Sequence, residues 1–228
     1  MAKHNWRDLI LQLFYSAVNI FSPSVCSICA IKPSRYPSPL CDHCEELILS
    51  GQVPPPQSTT HIKKIWTCRF YENILIKCIH QFKYRGKTRM INTFEKMFEK
   101  VLSKDILFRH SIDLIIPVPL HKKRRRRRGY NQSEIIAKHL SKVYCLPMSS
   151  QILIKTKNTV PQMKLSKKLR IKNLTDSFSS KNIHILKNKN IMLVDDVITT
   201  GTTLNTCAKK LIKAGAKKVF VFTLARTK

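Results

Sequence analysis

Acidic residues are scarce in this chain of 228 residues, which has 13 Asp and Glu against 42 Lys and Arg and a formal net charge of +29. Solubility does not require so large an excess, so it favours a polyanionic partner such as nucleic acid, a phosphate-rich ligand or an anionic membrane surface. Glycine is also scarce, with 5 residues beside many Lys, Ile and Asn. This bias indicates a drift in the coding DNA, so part of the positive charge can be purely compositional.

Long apolar runs are absent as well. No stretch approaches the about 18 uninterrupted apolar residues of a transmembrane helix, which excludes a membrane span. Residues 1–22 have a basic start and an apolar stretch, as a signal peptide does, but Asp8, Gln12 and Asn19 interrupt it. The helical spacing of the apolar residues, from Trp6 to Phe21, predicts an amphipathic helix that caps a neighbouring module, with export or a membrane-surface helix as alternatives. We therefore expect a cytoplasmic protein.

Four of the eight cysteines form two CxxC pairs, CSIC and CDHC, separated by eleven residues. The four are Cys26, Cys29, Cys41 and Cys44. Two thiolate pairs at this separation suit one tetrahedral zinc ion, so the sequence predicts a zinc ribbon over residues 26–50. A redox pair, a disulfide framework and ligation by His43 are the alternatives. The other four cysteines are predicted to be small hydrophobic residues.

The length suggests one full domain and a smaller module. GQVPPPQSTT, at residues 51–60, predicts a stiff linker between them. We therefore predict a helix and zinc ribbon over residues 1–50, a linker over 51–62 and a main domain over 63–228. In the main domain, apolar strand-like runs alternate with helical patterns, which predicts an α/β fold with a parallel, doubly wound sheet.

A strand-like run, IMLV, is followed by Asp195 and Asp196 and then by a threonine-rich turn that opens a helix. The turn consists of Thr199, Thr200, Gly201, Thr202 and Thr203. Its backbone amides and hydroxyls at a helix N-terminus predict a phosphate site at the carboxyl end of a strand. It lacks the lysine of a Walker loop. Carboxylates beside it suit a ligand with a phosphate and nearby hydroxyls, such as ribose 5-phosphate; a plain capped turn with solvated acids is the alternative.

Seven consecutive basic residues occupy 122–128, in a predicted loop. Arg124, Arg125, Arg126 and Arg127 are candidates for contacts with a nucleic-acid backbone. A pyrophosphate site and a merely solvated surface are the alternatives. Three aromatic residues near basic ones either stack on bases or pack in the interior: Phe82, Tyr84 and Tyr130. His121 lies in the same loop and is a candidate for a catalytic role.

Residues 194–203 resemble the diphosphoribosyl-binding motif of type I phosphoribosyltransferases. PVPLHKKRRRRRGYNQ, at residues 117–132, resembles the PVPL…RGxNQ segment of the ComF/GntX family. Further segments follow in that family's order: the four-cysteine ribbon, FKYRG at residues 82–86, and Gln162, Arg170, Asn173 and Phe178. The resemblance spans almost the whole chain, from Cys26 to the last predicted strand.

The resemblance implies a phosphoribosyltransferase-type parallel sheet with flanking helices, preceded by the small zinc ribbon. Asp195 and Asp196 would be the catalytic pair that hydrogen-bonds the ribose 2′ and 3′ hydroxyls. Residues 199–203 would hold the 5-phosphate of phosphoribosyl pyrophosphate, and Arg128 would face the pyrophosphate. Magnesium would be held largely by ligand oxygens and water. The reaction would displace pyrophosphate from ribose C1 through a cation-like transition state.

The family is associated with natural competence and the handling of incoming single-stranded DNA. The resemblance thus adds single-stranded DNA and proteins of the competence machinery as partners. It leaves two functional classes open. One is an enzyme that transfers phosphoribose to an unidentified acceptor, and the other is a non-catalytic accessory protein that handles nucleic acid.

Overall fold

The computed structural model describes residues 24–34, 36–103, 105, 111–157 and 177–228. The helix predicted over residues 1–22 lies outside these ranges, as do Gln162, Arg170 and Asn173. Within the described ranges, no helix has the length and apolar character needed to cross a bilayer.

The described residues form two compact units. The first, called the ribbon unit below, comprises the residues up to Gly51 together with Asn73–Lys96. The second, the sheet unit, comprises Gln52–Glu72 and Met97–Lys228. The domain boundaries inferred from the sequence at residues 50 and 62 stay predictions.

The ribbon unit contains α1 (Asp42–Leu49), α2 (Asn73–Tyr84) and the first part of α3 (Met90–Leu102). The helical spacing of apolar residues predicts α2 and α3, and the structure confirms both. Phe82 of α2 and Phe94 of α3 are fully buried and pack edge to face, with ring centroids 5.5 Å apart. This aromatic pair, a favourable geometry for buried rings, holds the two helices together.

The remaining elements follow in the sheet unit. In chain order they are β1 (Gln57–Thr59), β2 (Ile62–Phe70), β3 (Leu114–Pro117), α4 (Lys122–Arg128), α5 (Gln132–Tyr144), β4 (Leu153–Lys155), β5 (Phe178–Ser180), a 3₁₀ turn (Ile183–Leu186), β6 (Asn190–Ile198), α6 (Thr202–Lys213) and β7 (Lys218–Arg226). One sheet has the strand order β1-β2-β7-β6-β3, in which β2, β7, β6 and β3 run parallel. β1 pairs antiparallel at its edge, and β4 and β5 form a separate antiparallel pair.

Helices cover both faces of the main sheet. On one face, Phe98 of α3 packs edge to face against Phe222 of β7, with ring centroids 5.1 Å apart. On the other face, Leu204 and Leu211 of α6 share a core with Val221 of β7. Val221 and Phe222 serve opposite faces because successive strand residues alternate. The predicted α/β fold with a parallel sheet and flanking helices is confirmed.

Two segments differ from their sequence-based interpretation. Gln57–Thr59 form the edge strand β1 within the stretch that the prolines indicate to be a linker. The basic tract forms the helix α4 and is not a loop. His121 caps α4 by accepting a hydrogen bond at Nδ1 from the backbone N–H of Lys123, at 3.2 Å, and Gly129 ends it at φ +86°.

The helical state of the basic tract has a simple physical basis. Arginine and lysine are good helix formers, and cations in a last turn interact favourably with the helix dipole. The tract has no apolar residue, so it has no hydrophobic periodicity from which the helix could be inferred.

Asn131 is the N-cap of α5, and it also attaches the helix to the sheet. Its side chain accepts a hydrogen bond from the Ser133 backbone N–H at 3.2 Å. Its Nδ2 donates to the carbonyl oxygen of Val118, directly after β3, at 3.0 Å. Because Asn131 is buried, losing either bond leaves a polar group without its partner inside the protein.

Replacing Asn131 by Ala should lower the free energy of unfolding by about 1–3 kcal/mol, because both hydrogen bonds are removed. Asn131→Ser keeps a capping oxygen but does not reach Val118, so its stability should lie between wild type and Asn131→Ala. Chemical denaturation measures all three. Equal midpoints for wild type and Asn131→Ala would contradict this role.

Candidate functional site

The two adjacent carboxylates lie at the carboxyl edge of the parallel sheet. Asp195 and Asp196 are in the last part of β6, where Val194 pairs with Pro117 of β3 and Asp195 pairs with Thr223 of β7. Asp195 is half-buried and Asp196 is 4% exposed. Ligands of parallel sheets bind outside this edge, and Asp195 is the more accessible of the two carboxylates there.

Asp195 is held by the start of α5. The hydroxyl of Ser133 donates to Asp195 Oδ1 at 2.8 Å, and the backbone N–H of Asp196 donates to the same oxygen at 2.9 Å. Ser133 is 1% exposed, so this contact is shielded from water. Sequence reasoning did not single out Ser133. The sequence feature that could have identified Ser133 is its position directly after the RGYNQ segment, in the first turn of the following helix.

The threonine-rich turn opens α6 directly after β6. Gly201 adopts a left-handed conformation at φ +70° and precedes the first helical residue, Thr202. The hydroxyls of Thr200 and Thr202 lie 2.9 Å apart. Thr199 and Thr200 are exposed, while Thr203 is half-buried in the first helical turn. Hydroxyls and backbone amides therefore surround a helix N-terminus at an accessible edge, an arrangement that suits an anion.

The basic helix α4 comes from the neighbouring strand β3 and is partly tied to α5. Arg128 donates a hydrogen bond to the Gln132 side chain. Arg125 Nη2 lies 3.2 Å from Glu134 Oε2, and Lys138 Nζ lies 3.2 Å from the other carboxylate oxygen of Glu134. These contacts bring Arg128 next to the residues that hold Asp195. The ion pair between Arg125 and Glu134 joins α4 to α5.

Lys155 is a further basic side chain near the carboxylates that the sequence did not indicate. It ends β4, and its Nζ lies 5.0 Å from the ring centroid of Phe178. Burial lowers the pKa of Lys155, the charge of Arg124 lowers it further, and the negative charge of Asp195 opposes both effects. Lys155 is thus close enough to both Arg124 and Asp195 to feel their charges.

The four cysteines of the two CxxC pairs converge as predicted. The sulfur atoms of Cys26, Cys29, Cys41 and Cys44 all lie within 4.8 Å of one another. Cys29 and Cys41 Sγ are 3.8 Å apart, which matches the about 3.8 Å edge of a tetrahedron with Zn–S bonds of about 2.3 Å. The cluster could therefore hold zinc. His43 is exposed and is not part of it.

Backbone N–H groups near Cys29 favour the thiolate form that binds a cation. Hydrogen bonds from the backbone N–H groups of Lys32 and Ile31 lower the pKa of the Cys29 thiol to about 6. Cys41 is the N-cap of α1. Burial raises the pKa of Cys44, and a bound metal ion would reverse that effect by binding the thiolate.

The cysteines outside the cluster were all predicted to be small hydrophobic residues. Cys68, Cys78 and Cys207 are buried, as expected. Cys145 is exposed, because it lies at the C-terminal end of α5 and not in the core.

A parallel sheet whose carboxyl edge carries an Asp-Asp pair and a threonine turn defines a phosphoribosyltransferase-type domain, here together with a four-cysteine module. A phosphoribosyl transferase domain model matches residues 126–228. Competence protein F of Haemophilus influenzae is 33% identical, covering 92% of this chain and 93% of that protein. DNA utilization protein YhgH of Escherichia coli K12 is 29% identical, covering 89% and 90%. The chain belongs to the ComF/GntX family.

The chain also matches a solved structure over part of its length. The glutamine phosphoribosylpyrophosphate amidotransferase of B. subtilis is 21% identical, with a TM-score of 0.43, and the match covers 64% of this chain and 30% of that one.

Purified protein should contain about one zinc ion per chain, because four thiolates complete one tetrahedral site. Cys41→Ser should lower the zinc content and unfold the ribbon. Elemental analysis and circular dichroism measure both effects. Cys145→Ser is the matched control, since it removes an exposed thiol outside the cluster and should retain the metal. Full zinc retention in Cys41→Ser would exclude this ligand set.

Proposed function

We propose that the chain binds phosphoribosyl pyrophosphate, or a closely related ribose phosphate, at the carboxyl edge of the sheet. One observation carries the proposal: a carboxylate pair and a threonine turn at a helix N-terminus follow each other within residues 195–203. Two carboxylates would repel a bare phosphate. They suit a ligand whose hydroxyls face the acids while its phosphate lies on the turn.

Different residues of the site bind the ribose and the 5-phosphate of this ligand. Asp195 and Asp196 accept hydrogen bonds from the ribose 2′ and 3′ hydroxyls, and charged acceptors form stronger bonds than amides. The backbone amides and hydroxyls of residues 199–203 hold the 5-phosphate. Ser133 keeps one oxygen of Asp195 occupied, which fixes the orientation of the carboxylate toward the ribose.

The pyrophosphate end requires positive charge. Arg128, which donates a hydrogen bond to Gln132, supplies it from the end of α4. Lys155 supplies it from the end of β4. Magnesium prefers oxygen ligands, and the carboxylate oxygens of Asp195 and Asp196 fit that requirement, with the remaining ligands from the pyrophosphate and water. When bound, magnesium supplies charge neutralisation for the pyrophosphate.

Transfer of phosphoribose is the reaction class that such a site supports. The C1–O bond to pyrophosphate breaks with the electron pair on the leaving oxygen, and a lone pair of the acceptor forms the new bond at C1. The chain's own residues hold the ribose and the leaving group in position while positive charge develops at C1. The four-cysteine module binds a structural zinc ion. Zinc binding requires reduced thiols, and these favour a cytoplasmic location.

A second candidate is an accessory function in DNA uptake, with single-stranded DNA as the partner. It is supported by the exposed side chains of Arg126 and Arg127 on α4 and by the net charge of +29. The relatives named for competence and for DNA utilization support the same biological setting.

Asp195→Asn and Asp196→Asn should each weaken binding of phosphoribosyl pyrophosphate by roughly ten- to a hundredfold, because a charge-assisted hydrogen bond is removed. Thr203→Val should weaken binding too, since a hydroxyl leaves the phosphate cradle. Calorimetry at fixed magnesium and salt measures each isotherm, followed by an assay for pyrophosphate release. If the wild-type protein shows no binding at millimolar ligand, the proposal fails and the accessory function replaces it.

Arg126→Ser combined with Arg127→Ser should weaken binding of single-stranded DNA and flatten its salt dependence, by about 0.7 in the log–log slope for each phosphate that is no longer neutralised. This pair is chosen because Arg125 contributes to an internal ion pair. Lys217→Ser with Lys218→Ser removes the same exposed charge elsewhere and is the control. An unchanged slope for the arginine variant would show that α4 is only a solvated surface.

A further inference from the structure

The turn between α2 and α3 in the ribbon unit is strongly basic. From residue 73 to residue 94 the sequence contains no acidic residue. Its five lysines and arginines are Lys77, Lys83, Arg85, Lys87 and Arg89. The side chains of Arg85, Lys87 and Arg89 are exposed. The cations therefore form a local positive surface with no acid in the same segment of sequence.

Two aromatic residues at the end of α2 have opposite environments. Phe82 is fully buried against Phe94, so the end of the helix is held by the core. Tyr84, two residues later, is 56% exposed. The exposed ring of His80 lies 4.9 Å from that of Tyr84 and is tilted by 47°. The sequence left stacking and packing open for both aromatic residues, and the structure assigns packing to Phe82 only.

A second exposed aromatic residue contacts the other end of the turn. The guanidinium of Arg89 lies 5.3 Å from the ring centroid of Tyr36, which is 39% exposed. The loop of Tyr36 is fastened at Pro37, whose carbonyl accepts hydrogen bonds from Asn92 at 3.0 Å and Arg89 at 3.4 Å. Exposed rings thus lie at both ends of a basic turn, on positions fixed by the core and by hydrogen bonds.

We propose that this surface, called the aromatic turn, binds single-stranded nucleic acid. It consists of Tyr36, His80, Tyr84, Arg85, Lys87 and Arg89. Bases stack on the exposed rings while the cations contact the phosphates, which is the combination that single-strand binders use. In a duplex the faces of the bases are already stacked, so they are not available to the exposed rings. An acidic peptide has no bases to stack on these rings. This inference rests on the second candidate function above and gives it a site separate from α4.

The test is fluorescence anisotropy of the full-length protein with a labelled oligothymidylate of about 16 nucleotides. Tyr84→Ala should weaken binding about 5- to 150-fold, the loss of one stacked base, with an unchanged salt slope. Tyr84→Phe retains the ring and should bind within about twofold of wild type. Arg85→Ser with Lys87→Ser should flatten the log–log salt slope by about 1.4. Lys217→Ser with Lys218→Ser is the charge-matched control and should leave the slope near wild type.

The outcomes separate this proposal from the function on which it rests. If the wild-type protein does not bind the oligonucleotide, both fall. If it binds and Tyr84→Ala binds equally well, the aromatic turn is overturned while single-strand binding stands. Equal affinity for a duplex of the same length, or equal competition by polyglutamate, would also overturn it in favour of general anion binding. Zinc content and circular dichroism confirm that each variant is folded.

Discussion

The hydrogen bond from Ser133 to Asp195 is the contact on which the candidate ligand site depends. It joins the first turn of α5 to the end of β6, two elements 62 residues apart in sequence. Asn131 attaches the same helix start to the end of β3, and Gln132 holds Arg128. Three consecutive side chains thus place the carboxylate, the sheet edge and the basic helix relative to one another, and all three are buried, where hydrogen bonds are strongest.

Charge separates the candidate binding surfaces chemically. The carboxyl edge of the sheet carries two of the few acids in the chain together with cations from α4 and β4, which would suit a ligand with both hydroxyls and phosphates. The aromatic turn lies in a segment without acids, residues 73–94, and would suit an extended polyanion. The overall positive charge would raise the local concentration of both kinds of anion, and the carboxylates would then discriminate between them.

Much of the fold could be predicted from local pattern. Apolar patterns indicated α2, α3 and the central strands, because burial of one face is encoded in residue spacing. Capping residues indicated the start of α5 and the end of α6. Apolar periodicity could not indicate α4, whose residues are all basic, because a helix with no apolar face has no hydrophobic period. Nor could it indicate β1, which follows three prolines and pairs with β2. That pairing is a contact with a later segment, and the residues of β1 themselves carry no pattern that predicts it.

The sequence alone determined the chemistry of the candidate sites: four thiolates at zinc spacing, an acid pair followed by a threonine turn, and a basic tract. The acid pair with its turn and the basic tract are contiguous in sequence. The two CxxC pairs are each contiguous but meet only because the eleven residues between them fold back. Only the tertiary structure decided that Ser133 and Lys155 lie near Asp195, and that Tyr84 faces solvent while Phe82 does not. These facts depend on which helix face meets the core and on strands that pair across the chain, and hydrophobic packing settles both only when the whole fold has formed.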